Sequence, residues 1–147
     1  MQPARILPDL QCSLLCEEVR QESNGNFFLI GIMDVIRVPH LPVTAKSLTV
    51  FNRWTAGLGQ FTEAVRWIRP GDTEPPRRSE IKFSMPDPGV SATTVSLFSN
   101  VELTVPGSYV VEVSVDDVLK MRYPVAVVVV PPPARPGSPR PADPPPT

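Results

Sequence analysis

From Val111 to Val115 the chain alternates apolar and polar residues, and after Asp116-Asp117 the alternation resumes through Leu119, Met121, Tyr123 and Val125. A period of two marks a strand with one buried face, so the two runs predict a β-hairpin. Its loop length decides which side chains meet. A two-residue loop at Asp116-Asp117 sets Val113 against Lys120 and Val111 against Arg122, which mixes the faces. A three-residue loop, Asp116-Asp117-Val118, pairs Val115 with Leu119, Val113 with Met121, Val111 with Tyr123 and Tyr109 with Val125. The opposite face then carries Glu112 against Arg122 and Ser114 near Lys120, which belong in water. The three-residue loop is therefore expected. Past Val125 the polar positions vanish, so residues 126–130 are predicted to be covered on both faces or paired with a strand other than the hairpin mate. The following prolines end the strand because they donate no ladder hydrogen bond.

Two further turns punctuate alternating runs. Centring a loop on Gly57-Leu58-Gly59 sets Arg53 opposite Glu63, Phe51 opposite Val65 and Thr49 opposite Trp67, with Leu48 and Ile68 paired on the other face and Trp54 above Thr62. Ser23-Asn24-Gly25-Asn26 predicts a type I′ hairpin, pairing Val19 with Ile30 and Gln21 with Phe28. The arm before it, CSLLCEEVRQE, is read as a strand, although Cys12, Leu15, Cys16 and Val19 also fit a helical stripe. Shorter strands are expected at 35–38, 80–85 and 94–98. The pattern predicts an all-β protein, an antiparallel immunoglobulin-like β-sandwich of about eight or nine strands without a long helix. For the valine run, the expected partner is the N-terminal segment near Cys12 to Cys16, laid parallel to the last strand. The competing partner is the same strand of a second subunit.

Composition adjusts this picture at the ends. The chain has 147 residues, and many of its 20 prolines lie after Val130. We therefore expect an N-terminal extension over 1–11, the β-sandwich domain over 12–130 and a disordered Pro-rich tail over 131–147. A formal net charge of −1 offers no broad basic face, so a nucleic-acid partner is not expected. No apolar run approaches the roughly 20 residues of a membrane span, and MQPARILPDLQ does not read as an export signal. No membrane partner and a cytoplasmic location are the resulting expectations. Cys12 and Cys16 would lie about 13 Å apart on a strand, too far for a disulfide, and are expected to be free thiols.

Two stretches carry resemblances. LTVPGSYVVEV resembles the Pro-Gly turn, tyrosine and alternating strand of immunoglobulin-like and fibronectin-like sandwiches. The longer LLCEEVRQESNGNFFLIGIMDVIRVPHLPVTAKSLTVFNRWTAGLG, with the valine-rich hairpin, resembles a family of small uncharacterised bacterial proteins, a domain of unknown function, across most of 12–130. That resemblance implies a fold and supplies no catalytic or binding residues.

Candidate chemistry is sparse. His40, between Pro39 and Pro42, lacks a neighbouring nucleophile or orienting carboxylate and reads as an exposed loop residue. Cys16 is followed by Glu17 and Glu18, which disfavour a thiolate, and with Cys12 forms only a weak zinc signal. On a strand Glu17 and Glu18 point to opposite faces, so they make no acid–base pair. Asp34, Asp72, Asp87, Asp116 and Asp117 could gather around calcium at one end of a sandwich, yet they lack Asp-x-Asp spacing and suit ordinary turns. Gly57-Leu58-Gly59 has no following helix to cradle phosphate. Arg69, Arg77 and Arg78 could hold an anion or form a solvated cluster. PARP and PGSP in the tail fit a Pro-x-x-Pro pattern, or a spacer. No catalytic, cofactor-binding or metal-binding residue is assigned, and no cofactor or enzymatic activity is expected. The expected function is a non-catalytic protein-interaction or assembly module, a monomer or weak homodimer with an unidentified protein partner. The alternative is a ligand module holding calcium or a small anion at one loop end.

Overall fold

The computed structural model describes residues 4–71 and 76–131, and the expectations for Asp72 and for the tail from residue 132 onward lie outside them. The described residues contain no helix and form nine strands: β1 (Asp9–Gln21), β2 (Phe27–Ile32), β3 (Val35–Val38), β4 (Val43–Thr55), β5 (Gly59–Ile68), β6 (Arg77–Met85), β7 (Ala92–Leu103), β8 (Gly107–Val115) and β9 (Val118–Val129). They make two sheets, ordered β2-β1-β4-β7 and β3-β9-β8-β5-β6. One core fills the space between them. Leu15, Leu48, Val50, Trp54, Phe98, Val101 and Leu103 come from the first sheet, and Phe61, Val65, Trp67, Tyr109, Val111, Val113, Val115, Val125 and Val127 from the second. Each large apolar side chain so enclosed contributes on the order of 1.5–3 kcal/mol.

The β8–β9 hairpin has the predicted faces and a different turn. Val113 pairs with Met121, Val111 with Tyr123, Tyr109 with Val125 and Glu112 with Arg122. Val115, however, pairs with Val118, leaving the two-residue loop Asp116-Asp117, and the register shifts between Val113 and Ser114. Asp116 and Asp117 both have positive φ, as a tight primed turn demands. A bulge takes up the extra residue that the sequence reading placed in the loop.

The turn at 22–26 also differs from expectation. Gln21 pairs with Phe27 and Val19 with Leu29, one position off the predicted register. Gly25 is left-handed and Asn24 is not, so the connection is a type I turn closed by a glycine bulge rather than type I′. The Asn24 side-chain oxygen accepts the Asn26 N–H at 2.9 Å, fixing it. A one-residue slip exchanges the faces of a strand. Phe28, Ile30 and Ile32 therefore stand beside Arg20, Glu18 and Cys16, and all three are exposed.

The expected β4–β5 hairpin does not form. β4 lies between β1 and β7, β5 between β8 and β6, and the glycine-bearing connection passes from one sheet to the other. Phe51 therefore pairs with Leu14 and Val95, and Val65 with Val113 and Ser79. Alternation sets which face of a strand is buried, and two strands on opposite sides of one core satisfy it as well as two neighbours do. The connection seats residues preceding β1: Ile6 and Leu58 exchange backbone hydrogen bonds, both 2.9 Å, and the Arg5 guanidinium lies 4.7 Å from the Phe61 ring.

The valine run finds a parallel partner inside the chain, but that partner is β3 rather than the segment near Cys12 to Cys16. Val35 pairs with Ala126 and Val38 with Val129. With β8 on its other side, β9 has no open edge along most of its length, and this removes the second-subunit pairing considered for it.

Strand β1 bends sharply. Its first part pairs with β4 and ends with Cys16 against Thr49, and its second part pairs with β2. Phe27 faces Gln21, seven residues beyond the Leu14 that faces Phe51, a distance of about 23 Å along a straight strand. Yet the Phe27 and Phe51 rings meet edge to face at 5.6 Å. Ser47 and Thr49 alternate with the core residues Leu48 and Val50, and their hydroxyls donate to the Glu17 carbonyl. The β1–β2 hairpin thus folds back over the outside of its own sheet.

Candidate functional site

The sequence candidates are dispersed. His40 is exposed in the loop after β3. Cys12 is half-buried and Cys16 buried, both as free thiols. Burial pushes the Cys16 thiol up, and its Sγ donates to the Thr49 carbonyl at 3.5 Å. Asp87 accepts the Gly89 N–H at 2.8 Å within a turn. Asp116 accepts the Thr62 N–H at 2.9 Å and pairs with Arg5. Burial pushes the Asp116 carboxyl up, but the Thr62 N–H and the Arg5 guanidinium outweigh it and hold the group below its ordinary range. Among the described residues no three His, Cys, Asp or Glu side chains gather as a metal site. The arginines separate too. Arg77 donates to the carbonyls of Ser99 and Asn100, Arg78 pairs with Glu80, and Arg69 donates to Thr104 Oγ1.

Two features outside the candidate set are more unusual. The first is Glu63, fully enclosed in the core. Its Oε1 accepts from Asn52 Nδ2 at 3.1 Å, and its Oε2 accepts from Trp54 Nε1 at 2.6 Å and from the Thr94 hydroxyl. All three donors belong to the first sheet, so the carboxylate fastens the second sheet to the first. A buried charge is tolerated only when hydrogen-bonded or paired, and here bonds from neutral groups alone do it. The Asn52 Oδ1 and Ser96 Oγ alongside have no partner. Three surface clefts, one of them lined by Arg5, Phe61, Lys82, Phe83 and Asp116, are not lined by Glu63. Enclosed in the core, its hydrogen bonds tie the two sheets together as a structural anchor. Its signal was present in the sequence: Phe61, Glu63, Val65 and Trp67 share one strand face, and that face is buried. The sequence reading gave Glu63 an Arg53 partner across a hairpin that does not exist.

The second feature is the outer hairpin. β2 is the edge of its sheet and carries six residues, FFLIGI, without a charge. Two of the other edges are short or charged, and the third is covered in part. β3 is four residues long with Arg37 exposed, and β6 presents Arg78, Glu80 and Lys82 to solvent. β7 has the Arg77 guanidinium on two of its carbonyls. Short, charged or covered edges resist pairing with another chain, and an uncharged apolar edge invites it. Phe28 and Ile32 are more than half exposed, at 53% and 56%, with Ile30 between them at 39%. On β1 these residues face Arg20, Glu18 and Cys16, and Arg20 and Glu18 neutralise each other at 3.0 Å.

No curated protein matches the chain in sequence. Among solved structures, a β-glucosidase from Listeria innocua in complex with glucose is similar with a TM-score of 0.47 and 14% identity; the match covers 78% of this chain and 16% of that one. Residues 11–128 match the profile of a family described as a family of unknown function, DUF6941. On a match covering most of its length, the chain belongs to that family.

Proposed function

We propose that the protein is a non-catalytic interaction module built on an immunoglobulin-like sandwich, and that it binds a protein partner through the open edge and outward apolar stripe of the β1–β2 hairpin. The three outward apolar side chains of β2, in contrast to the short β3 and the charged β6, carry this reading. Main-chain groups along such an edge supply affinity, and the side chains of one face supply selectivity.

The immunoglobulin-like assignment rests on strand order and on Tyr109. β4 and β7 pair in one sheet while β5, β8 and β9 pair consecutively in the other, with a parallel strand from the N-terminal half beside β9. The Tyr109 hydroxyl donates to the Val105 carbonyl at 2.9 Å, four residues upstream, as at a tyrosine corner.

The test is affinity capture from native host extract with the wild-type chain, Ile30→Lys and Glu112→Lys. Ile30 stands on the hairpin and Glu112 on the outer face of the second sheet. We expect wild type and Glu112→Lys to retain the same partner and Ile30→Lys to lose it. Equal capture by all three chains would move binding away from this edge.

A further inference from the structure

We propose that the first residues of β5 form a docking site for an extended peptide carrying an arginine, and that the chain's own residues 4–7 occupy it in this structure. The inference is independent of the reading of β2. β8 covers β5 only from Glu63 onward, because it ends at Val115 opposite that residue. Before Glu63 the edge of β5 is met by other groups. The Asp116 N–H donates to the Thr62 carbonyl and Asp116 Oδ1 accepts the Thr62 N–H, both at 2.9 Å. Ile6 and Leu58 then form an isolated antiparallel bridge. Addition of an extended segment to an open sheet edge is a general mode of peptide recognition, and here the chain supplies the segment itself.

Between these two contacts Arg5 enters a slot suited to a guanidinium. Its Nη2 donates to the Gln60 carbonyl at 2.8 Å and to Asp116 Oδ2, while its Cζ lies 4.7 Å from the centroid of the Phe61 ring. A planar cation can rest on a ring and donate within its own plane at once, which an ammonium cannot match. Gly59, at φ +123°, leaves room for the arginine stem, since a Cβ there would meet Arg5 Cγ at 3.1 Å. Little retains the present occupant. Ala4, Arg5 and Ile6 are all exposed, so the segment is kept chiefly by the Ile6–Leu58 bridge and by a solvent-accessible ion pair that salt screens. Weakly packed terminal segments open at low free energy, and a competing segment then takes their place. Clefts flank the Arg5 side chain on both sides, one reaching Thr62 and Lys82 and the other Leu58 and Met85, so a longer peptide has walls to follow.

The experiment uses the full chain carrying Arg5→Ala, a change at an exposed position that vacates the slot, and follows the backbone amide signals of Leu58, Gln60, Phe61 and Asp116 by NMR. Ethylguanidinium, titrated from about 1 to about 50 mM to fill a millimolar site, should shift the signals of Gln60, Phe61 and Asp116, and ethylammonium should not. The peptide Ala-Arg-Ile-Leu-Pro, which repeats residues 4–8, should shift the same signals together with that of Leu58. Adding Asp116→Asn keeps an oxygen for the Thr62 N–H while removing the charge, and should weaken both probes about tenfold. In wild type, where Arg5 fills the slot, both probes should bind more weakly than to Arg5→Ala. Absence of any response to ethylguanidinium, an equal response to ethylammonium, or binding that Asp116→Asn leaves unchanged overturns the inference. Ethylguanidinium binding without peptide binding overturns it as well, because the slot is then an internal brace for Arg5 alone.

Discussion

Removing the Glu63 carboxylate tests whether the core is held as described. In Glu63→Ala, Trp54 Nε1, Asn52 Nδ2 and Thr94 Oγ1 lose their acceptor while still enclosed. Each buried donor left unpaired costs about 1–3 kcal/mol, and the vacated side-chain volume adds a cavity cost. Removing a desolvated charge returns part of this. The net expectation is a loss of about 4 kcal/mol, roughly 12–20 °C in melting temperature for a domain of this size. Glu63→Gln keeps the shape. Its oxygen accepts from Trp54 and Thr94, and its amide nitrogen meets Asn52, whose Oδ1 lacks a partner and becomes an acceptor when that amide turns over. Glu63→Gln should therefore cost about 1 kcal/mol or less. Urea unfolding followed by tryptophan fluorescence reads both values, with an unchanged slope confirming that the same surface is exposed. Equal costs for the two variants would show that the negative charge itself is required, and a cost below about 1 kcal/mol for alanine would show that the carboxylate fastens nothing.

Three other outcomes follow from the same geometry. Val113 is fully buried, so Val113→Lys should cost about 4 kcal/mol or more in urea unfolding, whereas Glu112→Lys, between Arg66 and Arg122 on the outer face, should cost at most about 1 kcal/mol; equal costs would refute the β8–β9 register. Burial pushes the Tyr123 hydroxyl up to about 12, against a Ser13 hydrogen bond that opposes the shift. The folded chain therefore holds this proton to higher pH than the unfolded chain does, and the stability it contributes is full below about pH 10 and lost as pH rises through about 12. Tyr123→Phe should lose less stability than wild type across that window, and parallel pH profiles would contradict the assignment. A methyl group at Gly57 would meet Met85 Sδ and Pro8 Cβ at 2.7 Å, so Gly57→Ala should cost about 1–3 kcal/mol in a thermal or urea melt, and a neutral result would mean that the residues before β1 do not press on this connection.

Strand positions and buried faces were legible in the sequence because both depend on a period of two. That period placed Tyr109, Val111, Val113 and Val115 inside and opposed Glu112 to Arg122, as observed. Turn geometry was only partly legible, since loop residues and bulges trade places without altering the faces further along. Asp116-Asp117 shows this in a two-residue loop, and Gly25 in the turn at 22–26. Partnership was decided by the tertiary structure. Phe51 and Val65 read as neighbours across Gly57-Leu58-Gly59, yet they stand in different sheets, because local alternation carries no information about which layer a strand joins. The same gap hid the Glu63 anchor, whose donors come from β4 and β7 across the core, and the choice of β3 as the partner of the valine run. It also hid the exposed face of β2. FFLIGI looks from its composition like a buried strand, and only the fold-back of the β1–β2 hairpin, with Phe27 against Phe51, turns Phe28, Ile30 and Ile32 out to solvent. Burial of a strand face is a local property of pattern, whereas its partner and its cover are long-range contacts fixed by how whole layers pack.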